Sequence, residues 1–135
     1  MGAFFETIPE SSIAWIDRQH CFFVATASLS ASGHVNLSPK GGKYFGVIGN
    51  NTFWYHDLSG SGSETIAHLH EPSNGRITIM FAAFDGQPKI LRLWGNGRVL
   101  ENGTKKFESF VKEHKVEMMP GTRSIIIVDI HQVGR

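Results

Sequence analysis

The sequence predicts a mainly β protein in which antiparallel strands close into a small barrel that carries three short helices. Short segments rich in β-branched and aromatic residues follow one another along most of the chain, and tight turns separate them. Closely spaced hairpins give antiparallel sheets, and closure into a barrel protects their edges. The length of 135 residues is typical of one domain, so we expect residues 1–135 to form a single unit.

Strand-like composition occurs in seven segments, at 21–28, 34–38, 44–48, 52–56, 76–84, 89–100 and 124–130. The turns Asn50-Asn51 and Asp85-Gly86 are typical of hairpin connections. Gly95 and Gly97 interrupt the sixth segment, which predicts a bulge or a sharp bend there. The last segment is almost continuously apolar, which indicates burial on both faces.

Helical patterns occur in three segments, at 9–19, 64–70 and 104–114. Thr7 and Glu10 have the spacing of a capping box ahead of the first helix, and Ser61 and Glu64 have the same spacing ahead of the second. The third segment places its apolar side chains on one face, formed by Phe107, Phe110, Val111 and His114.

Charge and composition exclude several classes of protein. The net charge of +1 gives no electrostatic reason to bind nucleic acid or an anionic membrane. The longest apolar runs fall far short of the roughly 20 residues that span a bilayer. A single cysteine, Cys21, cannot form an internal disulfide, and the first residues do not resemble a secretory signal. We therefore expect a cytoplasmic protein.

The loop at 57–66 is the most informative segment for function. It is rich in small donors, namely Ser59, Gly60, Ser61, Gly62, Ser63 and Thr65. Backbone N–H groups and hydroxyls gathered in such a loop suit a phosphate, because glycines let the backbone approach the ligand closely. The loop matches neither the Walker pattern nor the dinucleotide fingerprint. An ordinary turn with a serine cap is the alternative for this segment.

A second candidate segment, at 36–42, contains Asn36, Ser38 and Lys40. Pro39 and two glycines surround Lys40, which predicts that the lysine lies at a stiff corner where its charge could neutralise a phosphate. A solvated loop lysine is the alternative. No metal site is predicted, since His68 and His70 are two residues apart on a helix and point to different faces.

Four segments in this order resemble the FMN-binding split-barrel family, which includes the pyridoxamine 5′-phosphate oxidases: 33–40 (GHVNLSPK), 53–69 (FWYHDLSGSGSETIAHL), 76–81 (RITIMF) and 91–95 (LRLWG). The resemblance runs from about residue 8 to 131. It implies a homodimeric, six-stranded antiparallel split barrel with a flavin at the subunit interface. FMN is the cofactor it favours, ahead of FAD or a deazaflavin.

The same resemblance implies which residues bind the cofactor. Strand 34–40, with Asn36, Ser38 and Lys40, would lie along the isoalloxazine ring and ribityl chain, and the loop at 57–65 would hold the phosphate. The oxidases have Ser-Arg-Lys where this sequence has Ser63-Glu64-Thr65, and they carry a C-terminal Arg/His substrate segment with no counterpart before Arg135. We therefore expect a related branch of the family, in which Lys40 supplies most of the positive charge.

The expected activity is that of a flavin-dependent oxidoreductase acting on a small molecule, and no side chain is identified as catalytic. A charged fraction of 19% and ten phenylalanines are consistent with an apolar subunit interface. The alternative is a protein that binds a flavin or another planar cofactor without turning over a substrate.

Overall fold

A computed structural model describes residues 2–135 as one curled antiparallel sheet of eight strands with three short helices. The strands are β1 (Phe4–Phe5), β2 (Cys21–Ala27), β3 (Val35–Gly41), β4 (Phe45–Ile48), β5 (Thr52–Leu58), β6 (Arg76–Ala82), β7 (Ile90–Glu101) and β8 (Thr122–Gly134). The helices are α1 (Glu10–Ile16), α2 (Glu64–His70) and α3 (Lys105–Glu113). The predicted fold class is confirmed, although the expected count of six strands is too low.

The order of strands in the sheet is β3-β2-β6-β7-β8-β5-β4, and β1 pairs separately with β8. Every paired neighbour is antiparallel, as the short hairpin connections predict. β3 and β4 lie at the two ends of this order, so the barrel is split between them. The segment Phe4–Phe5 is too short to show a strand pattern in the sequence, which is why β1 escapes prediction.

Strand β8 is buried on both faces, which confirms the expectation from its apolar run. Ile125, Ile126, Ile127 and Val128 are all fully buried. Because alternate side chains in a strand point to opposite faces, Ile126 and Val128 join the main core inside the curl, whereas Ile125 and Ile127 pack in a second core with α3. A single strand therefore joins two hydrophobic cores.

The main core is centred on aromatic side chains. The Phe22 ring lies 5.3–5.5 Å, centroid to centroid, from the rings of Phe45, Phe53, Tyr55 and Phe81. Most of these contacts are edge-to-face or tilted, the arrangements that aromatic quadrupoles favour. Each buried side chain of this size contributes on the order of 1.5–3 kcal/mol through removal of apolar surface from water.

Lys40 lies within a strand, so the predicted corner at 39–42 is wrong. β3 continues through Pro39 to Gly41, and Lys40 pairs with Phe22 of β2. A proline cannot donate to a sheet ladder, but β3 is an edge strand and pairs with β2 alone. The edge position therefore permits the proline and keeps Lys40 in register with Asn36 and Ser38.

The two predicted capping boxes are also wrong. α1 begins after Pro9 and α2 begins after Ser63, and neither N-cap residue makes a side-chain capping hydrogen bond. α3 is capped, since the Thr104 hydroxyl accepts a 3.3 Å hydrogen bond from the N–H of Phe107. α1 ends at Ile16 and not at residue 19. Among residues 2–135, no helix is long and apolar enough to cross a membrane.

The predicted irregularity in the long strand β7 is confirmed. The register between β7 and β8 shifts between Trp94 and Gly95. A Cβ atom at Gly95 would overlap the carbonyl oxygen of Asp129 and lie 2.7 Å from Cγ1 of Val128. Only glycine permits so close an approach of the two strands at the register shift.

Candidate functional site

The polar side chains of β3 share one face of the strand. Asn36, Ser38 and Lys40 are partly buried, whereas the alternate residues Val35 and Leu37 are exposed on the other face. The Asn36 amide donates hydrogen bonds to the Ser38 hydroxyl at 3.0 Å and to Oγ1 of Thr65 at 3.4 Å. The edge strand is thereby linked to the first turn of α2.

A small cavity of about 40 Å³ lies between β3, the end of β5 and the loop before α2. We call it the phosphate-loop cavity. It brings together six of the nine residues that the sequence assigns to cofactor binding: Asn36, Ser38, Lys40, Gly62, Ser63 and Thr65. Ser59, Gly60 and Ser61 lie in the same loop, exposed and outside the cavity lining. A volume of this size accommodates about three water molecules or one small anionic group.

Asp57 is the buried carboxylate of this cavity. Its side chain is 4% exposed. It accepts hydrogen bonds from Nε of Arg123 at 2.6 Å and from the Ser124 hydroxyl at 3.1 Å, and Lys40 Nζ lies 3.9 Å away. A buried carboxylate requires such partners, because removing its charge from water otherwise costs on the order of several kcal/mol. Residues of the neighbouring strands thus balance the charge of Asp57 and satisfy its carboxylate oxygens.

Arg123 is the residue of this cavity that sequence reasoning missed. Besides the two hydrogen bonds to Asp57, its guanidinium donates to the carbonyl oxygens of Gly60, at 3.2 Å, and of Gly62. The hydrogen bond with Asp57 raises the pKa of Arg123, so the side chain stays charged. Sixty-six positions separate Arg123 from Asp57, and no local pattern links them. The one sequence signal for another cation is that positions 64–65 are Glu and Thr, where the oxidases have Arg and Lys.

The loop itself offers unused donors. Within residues 2–135, the backbone N–H groups of residues 60–66 bond to no protein acceptor. Glu64 lines the cavity with an exposed side chain whose carboxylate lies beside Gly62, since a Cβ atom there would come 3.3 Å from Glu64 Oε2. Lys40 and Arg123 together balance the formal charges of Asp57 and Glu64, so these four side chains sum to zero. An anion in this cavity would therefore be held through oriented donors more than through net charge.

A larger groove of about 440 Å³ lies on the outward face of β2, β6, β7 and β8, and we call it the outer groove. Its lining is mostly apolar or small and includes Ala25, Ala27, Val35, Trp94 and Gly95. Val35 is 72% exposed, and Leu37, two residues further along the same face of β3, is 65% exposed. The groove and the phosphate-loop cavity thus lie on opposite faces of β3.

Three histidines have defined partners elsewhere. Nδ1 of His68 and Oγ1 of Thr26 lie 2.9 Å apart, whereas Nε2 of His70 lies 3.3 Å from Glu101. The two imidazoles therefore face different strands, as their spacing predicts. His56 is 5% exposed, and its Nδ1 lies 3.0 Å from the Thr122 hydroxyl. Burial lowers the pKa of His56, and a hydrogen bond with the Glu117 backbone opposes this effect in part.

Comparison with known proteins places the chain in a family. Residues 8–135 match the family model described as pyridoxamine 5′-phosphate oxidase. The chain belongs to the pyridoxamine 5′-phosphate oxidase family. A curated relative from Aspergillus flavus, the pyridoxamine 5′-phosphate oxidase family protein ustO, is 40% identical over 135 residues. That match covers 98% of this chain and 53% of the relative, so the chain spans about half the relative's length.

Solved structures share the fold at low sequence identity. Group A Streptococcus HupZ has a TM-score of 0.67 at 20% identity, covering 93% of this chain and 92% of its own. A FAD-binding protein from Mycobacterium smegmatis has a TM-score of 0.61 at 13% identity, covering 96% of both chains. An FMN-binding protein from Syntrophomonas wolfei has a TM-score of 0.58 at 13% identity, covering 91% of this chain and 81% of its own. These similarities confirm the predicted split-barrel fold.

We predict that His56 makes the protein less stable in mild acid. In the unfolded chain the imidazole has a pKa near 6.5, and burial lowers that value in the folded state. The unfolded state therefore binds more protons, and stability falls as the pH drops through 6.5 towards the folded pKa. The urea concentration at the midpoint of unfolding should be lower at about pH 5.5 than at about pH 7.5.

His56→Gln should reduce this fall, because glutamine can bond to Thr122 and does not titrate. His20→Gln, at an exposed position just before β2 and outside the described cavities, is the matched control and should retain the parent's pH dependence. An unchanged pH dependence in His56→Gln would contradict the assignment.

Proposed function

We propose that this chain binds a flavin, with FMN preferred, and serves as a flavin-dependent oxidoreductase. The observation that carries the proposal is the convergence of the β3 polar face and the 62–65 loop on one small cavity. That cavity occurs in a fold shared with proteins described as FMN-binding and FAD-binding. The phosphate end of the flavin is the part that this cavity would receive.

The donors of the phosphate-loop cavity fit a phosphate group. Lys40 Nζ, the hydroxyls of Ser63 and Thr65 and the free loop N–H groups are all suitable partners for anionic oxygens. Asp57 is the one buried carboxylate in the lining, and Arg123, Ser124 and Lys40 satisfy it. Glu64 is exposed, so water screens its charge. The residues present therefore suit the group.

A bound flavin would supply the redox chemistry, and the protein would supply its position and a dry surrounding. The described lining of the phosphate-loop cavity contains no histidine, cysteine or tyrosine, so it offers no group that titrates near neutral pH. The second candidate is a flavin-binding protein without turnover. The substrate of an enzyme would be a small molecule that reaches the flavin ring from outside this cavity.

A homodimer is part of the proposal. The phosphate-loop cavity is far too small for a whole flavin, so the ring must lie on a surface that another element covers. Separately from the flavin, Val35 and Leu37 expose apolar surface on the face of β3 opposite the phosphate-loop cavity, beside the outer groove. An exposed edge and a continuous apolar patch favour coverage by a second copy of the chain.

The flavin proposal predicts a coloured complex. Titration with FMN should quench flavin fluorescence to saturation at one flavin per chain, and the bound flavin should bleach with dithionite and recover its absorbance in air. FAD and riboflavin, titrated in parallel, rank the cofactors. A chain that binds none of the three contradicts the proposal, and one that binds FMN but oxidises no reduced substrate or nicotinamide favours the binding-protein alternative.

The phosphate assignment predicts a contrast between FMN and riboflavin, which lacks the phosphate. Ser63→Ala, Thr65→Val and Lys40→Ala should each remove about 1.5–3 kcal/mol of binding to FMN. That loss is roughly tenfold to a hundredfold in Kd, and riboflavin affinity should change little. Lys40→Ala should also reduce the salt dependence of FMN binding.

Lys43→Ala is the matched control for Lys40, because Lys43 bonds to the carbonyl of Asp17 away from the cavity. It should bind FMN like the parent. If all three cavity variants also bind FMN like the parent, the loop is an ordinary turn and holds no phosphate.

The dimer proposal predicts a solution mass near twice the 15.0 kDa of one chain. Leu37→Lys should shift the protein towards monomer at micromolar concentration, because an interface would bury an unpaired charge there. Phe84→Lys is the control, since Phe84 is 75% exposed and lies outside β3 and the outer groove. Light scattering that gives one chain mass for the parent would exclude the dimer.

A further inference from the structure

Arg123 links the last strand to the loop before α2. Its guanidinium donates to both oxygens of Asp57 and to the carbonyls of Gly60 and Gly62. We propose that Arg123 is the positioning residue of the phosphate loop: it fixes residues 58–63 in the conformation that accepts an anion. This inference rests on the proposed function, since it assigns the loop's ligand as the phosphate end of a flavin.

The geometry requires arginine and not merely a positive charge. A guanidinium is a planar fork with five N–H donors, so it can serve a carboxylate and two carbonyls at once. Asp57 gives the fork a rigid support, since Asp57 is buried in β5 and also bonds to Ser124 of β8. A lysine at this position would keep the charge and lose the simultaneous contacts.

The loop depends on this support because its own sequence is flexible. Residues 59–63 are serines and glycines that populate many backbone conformations, so ordering each of them costs conformational entropy. Ser59 N–H bonds to the Gly121 carbonyl, which ties the start of the loop to the segment before β8. Arg123 ties the next residues, Gly60 and Gly62. With their carbonyls held, the N–H groups of the loop stay free for an anion.

Two effects of Arg123 must be separated. It orders the loop through the two carbonyls, and it neutralises Asp57, which would otherwise repel a phosphate. Arg123→Lys keeps the charge and removes the fork, whereas Arg123→Met removes both. If ordering dominates, as proposed, the two variants behave alike; if neutralisation dominates, Arg123→Lys behaves like the parent.

The experiment compares these variants by two measurements. The first is the rate at which subtilisin cleaves the flavin-free chain within residues 58–63, identified by mass spectrometry. The second is the Kd for FMN and for riboflavin. In Arg123→Lys we expect cleavage about tenfold faster or more, an FMN Kd raised about tenfold or more and a riboflavin Kd within about twofold of the parent's.

Arg98→Lys is the matched control, because Nε of Arg98 lies 3.6 Å from Asp129 of β8 in an exposed ion pair far from the loop. It should leave both measurements unchanged. Asp57→Asn provides a second route should Arg123→Lys fold poorly, since it weakens the support of the guanidinium and should release the same loop.

Parent-like cleavage and parent-like FMN binding in Arg123→Lys would overturn the inference, as would equal losses for FMN and riboflavin. The proposed function fails separately, when the parent binds neither FMN nor riboflavin. The cleavage measurement requires no flavin, so it tests loop positioning even then.

Discussion

Burial of strand β8 on both faces is the constraint on which the rest of the structure depends. β8 pairs with β1, β5 and β7, and its isoleucines divide between the main core and the core under α3. The same strand begins with Thr122, Arg123 and Ser124, which bond to His56 and Asp57 at the end of β5. The strand that both cores bury therefore supports one wall of the candidate site.

The opposite wall is an edge strand. β3 pairs with β2 alone, which allows Pro39 within it and leaves its outward side chains Val35 and Leu37 exposed. Its inward residues reach the loop through the hydrogen bond between Asn36 and Thr65. A well-supported wall faces an accessible one, an arrangement that would hold a ligand firmly and still let it enter.

Electrostatics at the cavity differ from those of a simple cationic phosphate site. Lys40 and Arg123 are matched by Asp57 and Glu64, so the proposed selectivity for an anion would come from oriented hydroxyl and N–H donors. Such donors distinguish ligands by geometry and are less sensitive to salt than bare charges. For the proposed binding of an anion, the conformation of the loop would therefore matter more than the number of lysines and arginines.

The sequence by itself determined the fold class, the bulge at Gly95 and the two-sided burial of β8, because each depends on local composition or on the period of the apolar residues. It also identified Asn36, Ser38, Lys40, Gly62, Ser63 and Thr65, all of which line one cavity. It placed Lys40 at a corner and assigned caps at Thr7 and Ser61, because local spacing does not show which strand lies at an edge or where a helix begins. Tertiary structure alone decided the contacts of Arg123. Its partners, Asp57 and the carbonyls of Gly60 and Gly62, are more than sixty residues away and become neighbours only when β5 and β8 pair.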